Sequence, residues 1–176
     1  MFREMRRKKQ ALCAEECAAV LERGTSGVLA LSGDGGYPYA VPLSYVFDGD
    51  RLYFHCARDG HKLDAVRRDG RASFCVIDQD HVVPKEYTTR FRSVVAFGTI
   101  RILDDAAEKR AAVEKLAVKY APEDPAGHRE QMIDRDWERL CMLEMRIEHM
   151  TGKESRELAG MRAEAGSGDI KELREA

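Results

Sequence analysis

Three residues near the middle of the chain have types and spacing that could do chemistry: His55, His61 and Lys62, in the run Tyr53-Phe54-His55-Cys56-Ala57-Arg58-Asp59-Gly60-His61-Lys62-Leu63-Asp64. A strand pattern runs out into a short glycine-containing loop, and a helical pattern begins at His61. The first-turn amides of a helix have no acceptor within the helix, and its dipole adds partial positive charge, so such a start favours an anion. A lysine in that turn opposes the isolated helix. Lys62 therefore points to an anionic ligand, and His61 can donate to the same anion. His55 and Ala57 share one face of the strand, opposite Leu52, Phe54 and Cys56. The small Ala57 leaves room for a ligand near the strand end. A barrel histidine with one satisfied hydrogen bond and a surface lysine would give the same spacing, and both readings stay open at this point.

A second stretch, Tyr37-Pro38-Tyr39-Ala40-Val41-Pro42-Leu43-Ser44-Tyr45, alternates cleanly. Its two prolines cannot donate ladder hydrogen bonds, so the strand must lie at an edge, a bulge or a bend. Leu43 and Ser44 keep their amide and carbonyl groups. Such an irregular edge suits a flat heteroaromatic ligand with donors and acceptors on its rim. It equally suits a bent barrel strand whose tyrosines pack the core.

The elements that must position these residues are legible from periodicity. A helix is expected over 13–23, with Gly24 as a stop signal. Strands are expected at 27–31, 37–47, 51–57, 72–77, 89–103 and 140–150, and further helices at 61–68, 106–120 and 126–138. Asp104 is the expected N-cap of the helix at 106–120, and Gly98 marks a bulge or close approach. The polar stretch 78–90, with Pro84, is expected to be a loop. Six strands joined mostly by turns, with no strand–helix repeat, predict a mainly β protein, an antiparallel barrel or sheet with peripheral helices. Residues 1–153 form one domain, and 154–176 a polar, weakly ordered C-terminal tail.

Composition narrows the classes. The chain has 176 residues and a net charge of −2, so nothing global points to nucleic acid. The basic run Arg3, Arg6, Arg7, Lys8 and Lys9 reads as a solvated arm. Five scattered cysteines, with no C-x-x-C pair, predict reduced thiols in a cytoplasmic protein and no metal site. No stretch approaches the roughly 20 apolar residues of a membrane span, and no apolar segment near the start predicts a signal peptide. Nucleotide-binding glycine loops, serine-hydrolase elbows and zinc-helix motifs are absent from the sequence.

In this setting the chain resembles the pyridoxamine 5′-phosphate oxidase-like FMN-binding split-barrel family, in its nitroimidazole-resistance branch. The resemblance rests on Gly36 to Tyr45, on Tyr53-Phe54-His55 through Lys62-Leu63-Asp64, on Arg67-Arg68, on the strand at 72–77, on Ser93-Val94 with Gly98, and on Thr151-Gly152-Lys153. It implies a six-stranded antiparallel split β-barrel that forms a homodimer with two FMN sites at the subunit interface. It implies that Val41, Pro42, Leu43 and Ser44 meet the isoalloxazine edge through backbone atoms, and that His55, Cys56 and Ala57 flank the ring and ribityl chain. His61 and Lys62 would hold the phosphate, and Ser93 and Trp137 would come from the other subunit. The C-terminal Arg-x-His pattern of the vitamin B6 oxidases is absent, which speaks against that substrate. The implied activity is reduction of a small electron-poor molecule such as a nitroimidazole, with His55 as proton donor because histidine exchanges protons near neutral pH. Two rivals remain: a non-catalytic flavin or haem binder on the same fold, with His55 as a ligand, and an interaction protein without cofactor.

Overall fold

Alternating apolar residues wrap one twisted antiparallel sheet around a core of Leu29, Leu52, Phe54, Phe74, Val76, Ile100, Leu143 and Met145. The structure is a computed structural model that describes residues 2–172, with side chains described from 2 to 164. In chain order the elements are β1 (Ala11–Leu12), α1 (Ala14–Arg23), β2 (Ser26–Ser32), β3 (Pro38–Ser44), β4 (Val46–Asp48), β5 (Arg51–Ala57), α2 (His61–Arg68), β6 (Arg71–Val83), β7 (Thr88–Ile102), α3 (Ala106–Tyr120), α4 (Ala126–Asp136), β8 (Leu140–Glu154) and α5 (Arg156–Glu172). The strand order is β3-β2-β6-β7-β8-β5-β4, with β1 added on β8. All pairings are antiparallel. Five of the long strands are those expected, but the strand expected over 37–47 breaks at Tyr45 into β3 and the short β4, which lie at opposite ends of the strand order; β1 is a short addition, and the sheet does not close into a full barrel. Among the described residues, no helix is long and apolar enough to cross a membrane.

A second, smaller core lies outside the sheet. There α3 places Ala112 and Leu116 on Tyr53 and Met142, with Leu103 alongside. This explains why β5 and β8 are buried on both faces where α3 covers them. Burying a leucine such as Leu116 is worth roughly 1.5–3 kcal/mol. The C-terminal end of α3 is tied down by hydrogen bonds. The Tyr45 amide donates to the Tyr120 hydroxyl at 2.9 Å, and that hydroxyl reaches the carbonyls of Thr25 and Tyr45. Lys119 donates to the Gly24 carbonyl at 2.6 Å.

Three expectations need correction. The stretch 78–90 is not a loop, because β6 and β7 extend as a hairpin arm that pairs Gln79 with Arg92 through Val83 with Thr88. A turn at Pro84–Glu86 ends it, with Tyr87 in the left-handed region at φ 49°. Ladder bonds are main-chain bonds and tolerate polar side chains, which is why polarity misled. The N-cap of α3 is Asp105, not Asp104, and its carboxylate accepts from the Glu108 amide at 2.9 Å. Most of the expected tail is helical: α5 starts at Arg156. Its Arg162 ion-pairs with Glu16 and lies 2.8 Å from Glu154, which is fully buried and also receives Arg92 at 3.0 Å.

The expected irregularity at Gly98 is present. The β7–β8 register shifts between Phe97 and Gly98, and a Cβ at Gly98 would drive into the Arg146 carbonyl oxygen. Gly98→Ala must therefore push two central strands apart. It is expected to lower unfolding free energy by about 1–3 kcal/mol, read as a reduced urea midpoint at unchanged slope. A midpoint equal to the parent's would show that the bulge relaxes freely.

Candidate functional site

The free edge of β3 is the first component. The Gly33 amide donates to the Tyr37 carbonyl at 2.9 Å, which sets the phase of the β2–β3 ladder. In that phase Tyr39, Val41 and Leu43 exchange backbone bonds with Leu31, Leu29 and Gly27, and their side chains face the core. Pro38, Ala40, Pro42 and Ser44 turn their backbone groups to the open edge and their side chains outward. Both prolines thus fall where an amide would point off the sheet. The edge offers four carbonyls but only the Ala40 and Ser44 amides. This corrects the expectation for Leu43, whose amide is spent on β2. Ladder phase, which decides this, is invisible before the pairing is known.

The second component is the end of β5 and the start of α2. His55 and Ala57 are exposed on the outer face of β5, while Cys56 turns inward directly opposite Cys141 of β8. Burial pushes the Cys56 thiol up to about 12, against the opposing pull of the Lys62 ammonium. Gly60 precedes α2 at φ 115°, a conformation that favours glycine, and no side chain caps the helix. The Leu63 and Asp64 amides bond back to the Gly60 carbonyl at 2.9 and 3.2 Å, which leaves the His61 and Lys62 amides without intrahelical acceptors. Among the described residues, no carboxylate pairs with Lys62. His61 behaves differently. Its ring stacks on Tyr39 at 4.1 Å, and Nε2 lies 3.4 Å from Asp34. That stack brings the β3 edge beside the first turn of α2. An uncapped helix start, an unpaired lysine and a donor-poor edge in one place fit a phosphate-bearing planar ligand.

The third component was not foreseen. Outside β5, α3 and α4 enclose a cleft of about 580 Å³ with Ser44 and His55 among its lining residues. Leu116, Met132 and Ile133 supply apolar walls, and Asp124, His128 and Arg129 supply polar groups. The spacing of Arg129, Met132, Ile133 and Asp136 at i, i+3, i+4 and i+7 was the available signal, though periodicity does not say which surface such a face meets. A larger groove of about 850 Å³ lies elsewhere, where Arg6, Arg7, Lys8 and Lys9 face α5.

Of the expected site residues, Ser93 lies apart from this cluster, while Trp137 stands beside it, where the neighbouring Glu138 carbonyl accepts from Arg58 just after β5 at 2.9 Å. Ser93 pairs with Lys153, whereas His55 pairs with Met142, so they sit eleven residues apart along β8, about 36 Å of extended strand. Trp137 follows α4, with Lys109 at 4.0 Å and Arg110 at 4.9 Å over its ring.

The sequence model of the pyridoxamine 5′-phosphate oxidase family matches residues 14–154. The chain belongs to that family. Both β3 and the β5–α2 junction lie inside the matched region. No curated protein sequence matches significantly. Among solved structures, a candidate 5-nitroimidazole antibiotic resistance protein from Bacteroides thetaiotaomicron superposes with a TM-score of 0.71 at 19% identity, over 81% of this chain and 85% of its own. An FAD-binding protein from Mesorhizobium loti gives 0.60 at 26% identity, over 83% and 97%. An FAD- and haem-binding protein from Mycobacterium smegmatis gives 0.69 at 23% identity, over 84% and 74%. At these identities the first and third show a shared fold.

The α2 geometry predicts the behaviour of Lys62→Ala. The empty protein should melt within a degree or two of the parent, because the lost cation opposes the helix dipole. Affinity for FMN should fall roughly 10- to 150-fold, the equivalent of one charge-assisted hydrogen bond, while riboflavin affinity stays level. Equal losses for FMN and riboflavin would show that Lys62 does not meet the phosphate.

Proposed function

We propose that this chain is an FMN-dependent reductase of small electron-poor molecules, nitroimidazoles among them, that works as a cytoplasmic homodimer with shared flavin sites. The juxtaposition of the unpaired, uncapped start of α2 with the open β3 edge carries this reading. The Lys62 ammonium and the His61 and Lys62 amides would hold the phosphate. The edge carbonyls and the Ala40 and Ser44 amides would meet the ring rim, and Pro42 keeps another strand from taking that place. Cys56 and Ala57 would flank the ring and ribityl chain. When bound, FMN supplies the electrons. His55, exposed at the mouth of the outer cleft, would deliver a proton from its imidazole to the substrate.

Dimerisation is supported by two observations. Ser93 lies too far along the sheet to join His55 within one chain, so its implied contact with the flavin requires a partner. The hairpin arm also presents Ile77, Val82 and Tyr87 to solvent, at 65%, 60% and 98% exposure, apolar surface of the kind that marks an interface. A cytoplasmic location agrees with the five unbridged cysteines.

A second reading, a flavin or haem carrier without catalysis, is favoured by the Mycobacterium smegmatis neighbour and by two histidines lining one cleft. His128 Nδ1 lies 2.7 Å from Asp124, a contact that orients an imidazole for metal ligation.

The visible spectrum of the purified chain separates these readings. A flavin spectrum is expected, with FMN released on denaturation and a dimer by light scattering at micromolar concentration. A Soret band would establish the haem reading, and a colourless protein that rejects added FMN would overturn both. For catalysis, His55→Ala should keep its FMN but slow single-turnover reduction of metronidazole by the pre-reduced protein roughly 100-fold or more. An unchanged rate would remove His55 from the proton transfer.

A further inference from the structure

The basic run Arg6-Arg7-Lys8-Lys9 reads in the sequence as a solvated arm. The structure folds it into a turn against α5, where with Arg156 it lines the groove of about 850 Å³. Among the described residues, no acidic side chain lines that groove. Lys8 is paired with Glu4 at 3.1 Å, but no described carboxylate lies within ion-pair distance of Arg6, Arg7, Lys9 or Arg156. Like charges gathered in this way repel, so the cluster is unfavourable until an anion joins it. Gln10 adds a neutral donor. It is 5% exposed and lines the same groove, and its side-chain oxygen accepts from Arg7 Nη1 at 3.5 Å. Nothing among the described residues accepts from its side-chain nitrogen, which is not one of the fully enclosed unpartnered atoms and so stays within reach of a ligand. The floor is α5, which presents Ala159, Gly160 and Ala163. Glycine inside a helix is unfavourable relative to alanine. At Gly160 a Cβ would meet nothing within 4 Å, so no packing within the described chain requires the glycine. What it leaves is space on the floor.

These features select one chemistry. Five cations meet at one turn and one helix start, a density that matches linked phosphates, which guanidiniums grip in bidentate fashion. Carboxylates along an extended peptide are spaced too widely to use it. No aromatic side chain lines the groove to stack bases, and the net charge is −2, which disfavours a single-stranded nucleic acid. The volume falls within the roughly 300–1,000 Å³ of small-molecule sites.

We propose that the groove between the N-terminal basic turn and α5 is a binding site for linked phosphates, a polyphosphate chain either free or carried by a nucleotide, with Arg6, Lys9 and Arg156 as charged contacts and Gly160 as the floor. The site stands apart from the flavin reading. Ala11, beside the turn, pairs with Lys153, eleven residues along β8 from the Met142 that pairs with His55.

Titration calorimetry on the full chain as purified tests this. The probes are tripolyphosphate and ATP, and the counterparts are AMP and hexaglutamate, all at one ionic strength. Each probe should bind at least tenfold more tightly than either counterpart. Tripolyphosphate binding at least as well as ATP identifies a free chain as the ligand, and tighter ATP identifies a nucleotide. Arg156→Gln should weaken both probes about tenfold, the equivalent of one charge-assisted contact. It should not lower the melting temperature of the empty protein, because the lost cation opposes the dipole of α5. Gly160→Glu should place a carboxylate on the floor and weaken both probes at least tenfold. Ala163→Glu provides the same block should that variant fail to fold. Gly127→Glu makes the same charge change on α4, where a Cβ also meets nothing within 4 Å, and should keep the parent's affinity. Probe affinity unchanged in both Arg156→Gln and the blocking variant overturns the proposal, as does an equal loss in Gly127→Glu or a counterpart that binds as tightly as the probes. Release of bound FMN by tripolyphosphate also overturns it, by making the groove the seat of the flavin's phosphate. If the parent carries and accepts no FMN, the reductase reading fails instead, and the calorimetric result still decides the groove.

Discussion

The sheet stays open because one of its edges lacks the donors that another strand would need. At β3 the ladder phase turns residues 38, 40, 42 and 44 outward, and two of these four are proline. A strand laid along that edge would find every second expected amide missing. The chain therefore forms a split barrel, and it leaves a row of carbonyls beside the start of α2. Both the anion-favouring turn and the outer cleft are reached from this gap.

Side-chain ties hold the surroundings of the gap in place. Tyr45 is fully buried at the β3–β4 corner, its hydroxyl donates to the Leu21 carbonyl at 2.7 Å, and its amide is held by Tyr120. This joins α1, the corner and the end of α3 in one place, so the cleft wall cannot shift independently of Ser44. A chain of charges does similar work on the far side. The bulge between Ile77 and Gln79 frees Asp78 to take Arg23 at 2.6 Å and Arg92 at 3.3 Å, and Arg92 continues to Glu154 and Arg162. Arg23 beside Asp78 holds that carboxyl below its ordinary value in spite of burial. A fully buried glutamate such as Glu154 is tolerable only because two guanidiniums reach it.

Local pattern made the strands, the helices and the His55–Lys62 segment legible in the sequence. Alternation at Leu140 to Ile147 and the stop at Gly24 are signals that a single stretch carries by itself. The arm at 79–92 was hidden because Asp80, Lys85 and Glu86 give the composition of a loop, while the ladder that holds it is main-chain. The helical start of the C-terminal segment was hidden because its anchor, Arg162, finds Glu16 at the other end of the chain. The cleft was hidden for a related reason. Met132 and Ile133 mark an apolar helix face, but only the packing of α3 on Tyr53 decides that this face meets His55.

The single tryptophan stands just behind the cleft wall. Trp137 follows α4 directly, its carbonyl accepts from Lys109 of α3, and the same ammonium lies over its ring. Any hinge between the two helices would change the electric field on one indole and on no other. The fold thus carries its own optical gauge, and the emission of Trp137 would report, in real time, whether the roof of the cleft breathes or stays shut.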